Sequence, residues 1–400
     1  MNCIGPMATG MGCGPSTIIP EIPDSVATNQ QVLYALARGT GGFEIFNTND
    51  FLEGLQKIAQ ELNEYYELGY APPSEVQDGS YHAIKVEMKR HGVKIRYRTG
   101  YYAIKSPDLL KGTPEGKTLE AHLVSQEAGA IPLSVATPYF YVKPGVARVN
   151  LALSVPGSDI EFIKQKGAFH SDVNVLGVVY KLDGSVAARF SDTLKLDLEK
   201  GQVKDFARDP FVYRHTFDIA PGMFTLKLAL SAGGEKFATY DTPFYAQPFA
   251  GDRLRLAGPA LAEKFIPIAQ LSAQMDAALL EDRTPLLFRG TELLPSATCR
   301  FPHGSEPAVY VEVYDPALKN KVPPSVGVQL KIFDRKTNKQ VYASNTMLIN
   351  DAVQPGNPLV PVGFNLPTSQ FSAGDYRVEF TALDAMGSVS SVSAADFTLE

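Results

Sequence analysis

Paired acidic side chains are the first groups in this chain whose spacing is suited to catalysis. Asp197 and Glu199 stand two residues apart in an alternating apolar segment, so a strand would place both carboxylates on one face. Such a pair can act as a general acid and base. The same spacing is typical of a solvated strand face, and we favour that interpretation. We interpret Glu281 and Asp282 as a solvated charge pair.

Histidine and cysteine give no stronger indication of a reactive centre. The six histidines lie at positions 82, 91, 122, 170, 215 and 303, without the spacing of metal ligands. Cys299 precedes Arg300, which could lower the pKa of the thiol, but no cysteine–histidine pair accompanies it. We therefore favour a small buried residue. Cys3 and Cys13 could pair, but an odd number of cysteines does not form a disulfide framework.

No common catalytic motif is present: the chain lacks G-x-S-x-G, H-E-x-x-H and the P-loop. We therefore predict a protein that is not an enzyme, with no catalytic, cofactor-binding or metal-ligating residue and no cofactor. The ligand-binding residues are left unassigned.

Two polar or aromatic segments have an alternative as binding surfaces. Residues 48–50, Thr-Asn-Asp, follow a short apolar run and precede a helical pattern. This position can hold a ligand in an α/β sheet, but we favour a helix N-cap. A group of tyrosines could form a binding face, although packing between paired strands is the favoured interpretation. These tyrosines lie at positions 65, 66, 70, 81, 97, 101 and 102.

Composition limits the class of protein and of partner. With 44% hydrophobic and 20% charged residues, the chain is typical of folded proteins, and 400 residues suit two or three domains. The formal net charge of −6 argues against a nucleic-acid partner. No apolar stretch is long enough to predict a membrane span. The first residues show no signal-peptide pattern.

The elements predicted for the first quarter are mixed α and β. Residues 1–27 are rich in glycine and proline and predict a disordered lead-in. Within 28–104 we expect a helix ending near Arg38, a short strand at 43–46 and a helix whose apolar face includes Leu52, Leu55 and Ile58. A β-hairpin turning at His91-Gly92 follows. Residues 105–118 predict a linker.

The remaining chain predicts two antiparallel Ig-like β-sandwiches. The first covers 119–249, with strands at 131–142, 147–155, 173–181, 187–198, 211–219, 224–230 and 236–244. A connector at 250–293 is predicted to be partly helical, because apolar residues from Leu261 to Met275 recur at helical spacing. The second sandwich covers 294–400, with strands at 308–314, 326–334, 340–344, 360–365, 376–383 and 394–399. The fold class is α+β, mainly β.

Four short motifs carry a family resemblance. They are Leu-Ala-Arg-Gly-Thr-Gly-Gly-Phe at 36–43, Asn-Thr-Asn-Asp at 47–50, Tyr-Tyr-Glu-Leu-Gly-Tyr-Ala-Pro at 65–72 and Arg-Thr-Gly-Tyr-Tyr at 98–102. Together they resemble the end of the A-type domain in von Willebrand factor A-related proteins of acidobacterial type. The resemblance implies that 28–104 is the C-terminal remnant of an α/β A domain with a hairpin extension. The D-x-S-x-S loop of the family's metal site does not occur, so no metal residue is assigned.

The resemblance, the two sandwiches and the absence of catalytic motifs lead to one functional expectation. We expect a non-enzymatic protein-interaction, adhesion or scaffold protein, a fragment of a secreted A-domain protein without its metal-dependent adhesion site. Its partner would be a protein or a cell surface, and the resemblance implies an extracytoplasmic location. The alternatives are a carbohydrate- or peptide-binding β-sandwich and a carbohydrate-active enzyme of unknown class.

Overall fold

The computed structural model describes residues 81–90, 100–102, 108–125, 129–165, 167–267, 285–354 and 356–400, with isolated positions between 42 and 59. The chain divides into two compact units, Met1–Lys105 and Ser106–Glu400. No helix within the described ranges is long and apolar enough to cross a membrane.

The first unit contains part of the predicted helix and hairpin. Positions 52, 54–56 and 58–59 are helical, and their apolar side chains at Leu52, Leu55 and Ile58 are exposed. Strands β1 (Tyr81–Ala83) and β2 (Gly100–Tyr102) are antiparallel, in the register expected for a turn at His91-Gly92. The lead-in at 1–27, the turn itself and the predicted strand at 43–46, except for the exposed Ile45, lie outside the described residues, so the A-domain remnant stays a prediction.

The second unit begins with a helix and the first set of antiparallel strands. Helix α1 spans Pro114–Ser125, and α2 spans Lys200–Phe206. The strands are β3 (Ser134–Ala136), β4 (Tyr139–Lys143), β5 (Val146–Pro156), β6 (Ile163–Gln165), β7 (Ala168–Lys181), β8 (Val186–Leu198), β9 (Pro210–Ile219), β10 (Gly222–Ala232) and β11 (Phe237–Ala246).

These strands form two sheets that pack face to face, as predicted for the first sandwich. In sheet I, β5 pairs with β3, β4 and β9; in sheet II, β7 pairs with β6, β8 and β10, and β10 pairs with β11. Alternate residues of each central strand enter the common core, as Leu151 and Leu153 do from β5, and Leu226 and Leu228 from β10. Period-two burial is what an alternating sequence produces in a sheet that is covered on one face.

Helix α1 covers the outer face of sheet II. Leu119 and Leu123 pack against Leu176, Val178 and Ala229, which point away from the sandwich core. The helix begins inside the range predicted as a linker, 105–118, so residues 114–118 correct that prediction.

Polar contacts fix the start of this segment to strand β8. Arg189 lies 2.5 Å from a carboxylate oxygen of Asp108 and 2.8 Å from one of Glu120. The backbone N–H of Leu110 donates to the hydroxyl of Ser191 at 2.8 Å. Residues 108–125 therefore belong to the first sandwich rather than to a linker.

The rest of the described strands form the second sandwich and a small separate sheet. They are β12 (Arg255–Ala262), β13 (Ile266–Pro267), β14 (Leu286–Phe288), β15 (Thr291–Leu293), β16 (Arg300–Phe301), β17 (Ala308–Tyr314), β18 (Val326–Asp334), β19 (Lys339–Ala343), β20 (Met347–Leu348), β21 (Leu359–Asn365), β22 (Gly374–Asp384) and β23 (Ser393–Leu399). Sheet III has the order β12-β17-β21 and sheet IV the order β16-β23-β22-β18-β19, with β20 on β18. A second core lies between sheets III and IV.

The range predicted as a partly helical connector, 250–293, is built from strands where it is described. Leu261, the first residue of the proposed helical spacing, lies in β12 and faces the second core. Strands β13, β15 and β14 form a small sheet of their own. Residues 268–284, with most of the proposed helical spacing, lie outside the described residues.

Candidate functional site

The predicted acidic pair is divided between two structural roles. Asp197 is the last residue but one of strand β8 and lies 2.8 Å from Nδ1 of His170 on β7. Glu199 caps α2, with the reciprocal side-chain and backbone contacts to Gln202 that define a capping box. The two carboxylates therefore serve a cross-strand contact and a helix end, and they do not form an acid–base pair.

His170 lies between two carboxylates on the outer face of sheet II. Besides Asp197, it has Asp172 at 3.2 Å from Nε2. The hydrogen bond to Asp197 is the main cause that raises the pKa of His170, and both nearby charges add to the effect. The side chains bind opposite nitrogens of the ring, so the arrangement stabilises the imidazolium form and does not converge on a shared ion.

Removing the carboxylate of Asp197 is expected to lower the pKa of His170. In the native chain, the NMR titration of His170 should give a pKa above the ordinary value of about 6.5, and Asp197→Asn should shift it towards that value. Since the folded-state pKa is raised, stability from this contact is complete below the unfolded pKa and is lost as pH rises through the folded value. Asp205→Asn, which alters an exposed ion pair with Arg208, is the control. A titration of His170 that is the same in both variants would contradict the assignment.

Cys299 is half-buried, where the sequence favoured a small buried residue. It packs against the second core, and its N–H donates to the hydroxyl of Ser296 at 3.2 Å. Burial, with a smaller contribution from Asp396, raises the pKa of Cys299 to about 11. The thiolate form needed for nucleophilic attack is therefore scarce at neutral pH.

Several predicted candidates cannot be placed in a site. Thr48-Asn49-Asp50, Glu281, Asp282 and the tyrosines at 65, 66, 70 and 97 lie outside the described residues. Tyr81, Tyr101 and Tyr102 lie in the paired strands β1 and β2. Among the residues that the structure describes, no group of three or more His, Cys, Asp or Glu is arranged to hold a metal ion.

The most unusual polar group is a carboxyl buried between the two sandwiches. Strand β17 directs Val309, Val311 and Val313 into the second core, and Tyr310, Glu312 and Tyr314 towards the first sandwich. Tyr310 donates from its hydroxyl to Glu312 at 2.8 Å, and Tyr314 donates to the other carboxylate oxygen.

Aromatic rings from the first sandwich close around this carboxyl. Phe140 packs edge-on against Tyr310 at 5.3 Å between ring centres, and Tyr141 does the same against Tyr314. Phe249 lies 4.8 Å from Tyr141. The backbone N–H of Tyr141 donates to the hydroxyl of Tyr314 at 2.8 Å. We call this set the joint; its residues are Phe140, Tyr141, Phe249, Tyr310, Glu312 and Tyr314.

Burial dominates the electrostatics of the joint. It raises the pKa of the Glu312 carboxyl, while the two tyrosine hydroxyls that donate to it act in the opposite direction. Burial and the neighbouring carboxyl raise the pKa of Tyr310 and of Tyr314. We interpret this carboxyl as a structural group, because its side chain is buried and accepts two hydrogen bonds from neighbouring tyrosines.

The edge of the joint is held by a second group of hydrogen bonds. Arg255 donates to the side chain of Gln247 at 2.8 Å, to Ser391 at 2.7 Å and to the carbonyl of Pro248 at 3.0 Å. Tyr141 donates to the carbonyl of Gln247 at 2.8 Å. The segment that connects the sandwiches is thus bonded to both of them.

A small cavity lies where the small sheet meets sheet I. Its volume is about 20 Å³, and it is lined by the buried Glu292 and by Arg214, among others. This volume suits about one water molecule and is too small for a metabolite. Neither the joint nor this cavity therefore has room for a metabolite.

Comparison with known proteins gives only distant structural likeness. No family model and no curated protein matches the chain. The chain resembles a protein assigned as a beta-galactosidase from Bacteroides fragilis, with 12% identity and a TM-score of 0.21, over 32% of this chain and 17% of that one. It also resembles the BSP domain of a biofilm associated protein, with 9% identity and a TM-score of 0.19, over 72% and 70% of the two chains.

A third likeness is to the fibronectin(III)-like modules of Clostridium thermocellum CbhA. The identity is 10% and the TM-score 0.17, over 67% of this chain and 94% of that one. Similarity this low carries no ligand or activity from one protein to another. The described residues form mostly antiparallel sheets, so they make this a mainly β protein. Its two sandwiches meet at the buried joint.

Proposed function

We propose that this chain is a non-enzymatic scaffold in which two sandwiches form one rigid element that presents a surface to a protein or cell-surface partner. The observation that supports the proposal is the joint. The central strand of sheet III, β17, is buried along its whole length, with one face against its own sandwich and the other against the first.

Physical reasons connect this joint with a scaffold. Domains in one chain move relative to each other unless their interface is large and hydrophobic. Here the first core continues into Ala257, Ala260, Ala308, Tyr310 and Tyr314 of sheet III. Bending at the joint would separate these apolar side chains and leave the carboxyl of Glu312 without its donors.

Two further parts of the proposal come from the sequence resemblance. The first is kinship of residues 28–104 with von Willebrand factor A-related domains. The second is an extracytoplasmic location, where adhesion and scaffold proteins act. Neither part is needed for the rigidity of the sandwich pair, so the rigid scaffold can hold even if either part is wrong.

Distance measurement between the sandwiches tests the scaffold directly. Spin labels at Leu182→Cys and Lys336→Cys, both exposed, report on the full chain after the three native cysteines are changed to serine. We expect a single narrow distance distribution, which Tyr310→Ala combined with Tyr314→Ala should broaden. Arg377→Ala, which removes an ion pair on the outer face of sheet IV, should leave it narrow. A broad or bimodal distribution in the native chain would overturn the proposal.

A further inference from the structure

A groove crosses the end of sheet I on the face opposite the first core. Its volume is about 360 Å³, within the range of about 300 to 1,000 Å³ that is usual for small-molecule sites. Ser154 and Ser134 are directly opposed across β5 and β3 and form part of the lining. Leu153 and Val155, the neighbours of Ser154, enter the core, so Ser154 faces the groove.

The groove has stiff walls. Pro156 and Pro210 are directly opposed on β5 and β9, and both line the groove. Gly157 follows, and a Cβ there would lie 2.3 Å from the carbonyl oxygens of Phe206 and Asp209. The N–H of Gly157 donates to the Asp209 carbonyl at 3.2 Å. The backbone is therefore closed tightly at this end, and little ordering is required when a ligand binds.

Half of the residues that line the groove carry polar side chains, and the lining is formally neutral. Arg208 and Asp209 are its charged residues, and their charges are opposite. The other polar side chains are hydroxyls, from Ser134, Ser154, Ser158 and Thr298. Hydroxyls both donate and accept, a carboxylate only accepts and a guanidinium only donates. This mixture matches a ligand that is itself rich in hydroxyl groups, and it gives no net attraction for a polyanion.

We propose that this groove binds a neutral sugar, with Asp209 accepting hydrogen bonds from its hydroxyls and Arg208 and the serines completing the contacts. The apolar faces of Pro156 and Pro210 would contact the C–H face of the ring. The scaffold function does not depend on this site, since the groove lies apart from the six residues of the joint. Sugar binding would make the rigid element a glycan-directed module.

Saturation-transfer NMR with the full chain tests the groove without knowledge of the natural ligand. The probes are methyl glucoside, methyl galactoside and N-acetylglucosamine, each titrated into the protein. We expect saturable binding of at least one probe. Asp209→Asn should weaken it about tenfold or more, because hydrogen bonds to a charged acceptor are lost. Glu235→Gln, the corresponding change at an exposed turn that does not line the groove, should bind the probe like the native chain.

The other outcomes decide against the proposal. Absence of saturable signal from all three probes overturns it, as does equal binding by Asp209→Asn and Glu235→Gln. Trialanine is included as a peptide probe, and binding of trialanine alone, weakened by Asp209→Asn, would replace the sugar by a peptide. Since Asp209 is exposed, its variant is expected to fold, and thermal unfolding of both variants checks this.

Discussion

Replacing Glu312 by alanine is expected to lower the free energy of unfolding by about 3 to 5 kcal/mol. The change leaves two buried tyrosine hydroxyls without their acceptor and opens a cavity in the joint. Urea denaturation of the full chain, followed for the Ser106–Glu400 unit, measures the effect. The control is Glu306→Ala, which removes an exposed carboxylate bonded to Ser369, with an expected loss below about 1 kcal/mol. Equal losses of stability in the two variants would show that Glu312 contributes no more to folding than an exposed carboxylate does.

The variant Glu312→Gln keeps the shape of the side chain but removes its titratable proton. Because burial raises the pKa of Glu312, the folded chain binds this proton more tightly than the unfolded chain does. The stability that comes from this proton is complete below the unfolded pKa of about 4.3 and is lost as pH rises through the folded value. Stability of the native chain relative to Glu312→Gln should therefore fall as pH increases above about 4.3. A difference that does not change with pH would contradict a raised pKa.

Gly177→Ala is expected to destabilise the first sandwich by about 2 to 4 kcal/mol, since it overfills a packed core. Gly177 lies in β7 opposite Phe190 of β8, and an added Cβ would lie 2.0 Å from the Phe190 ring. Phe190 is 2% exposed, so the ring has no space into which it can move. Thermal and urea unfolding should both show the loss.

Two further variants make this test specific. Gly201→Ala is the matched control, because Gly201 lies in α2 with open space around it, and alanine there should be neutral or slightly stabilising. Phe190→Leu should recover part of the loss when it is combined with Gly177→Ala, although alone it is destabilising. Additive effects of the two substitutions would mean that the ring is not the cause.

Much of the strand pattern could be predicted because its cause is local. Alternation at 308–314 and 326–334 predicted β17 and β18 with their observed bounds. A strand that buries one face carries this signal in its own residues. Asp197 and Glu199 were expected on a solvated strand face, and both are exposed, but only Asp197 lies in a strand. Cys299 was expected to be buried and is half-buried.

The joint could not be predicted, because it depends on tertiary contacts between segments that are far apart in the sequence. In β17, Glu312 indicates a solvated face, and only the approach of the first sandwich makes that face buried. Strand β12 was missed because Gly258-Pro259 interrupts its alternation, at the point where its register with β17 shifts. The start of helix α1 falls within the predicted linker because Thr113, Pro114 and Gly116 are typical of turns. In the structure, Thr113 caps the helix and Gly116 allows close contact with Leu110.

The position of α1 sets where the sandwich pair can be cut for recombinant expression. A fragment that starts at residue 119, at the end of the predicted linker, would lose the first turn of the helix and the ion pair between Asp108 and Arg189. The shortened helix would then pack weakly on the apolar side chains of Leu176, Val178 and Ala229. Exposure of this apolar surface would make the fragment prone to aggregate. A fragment that starts at residue 106 keeps the cover complete, and its solubility should be correspondingly higher.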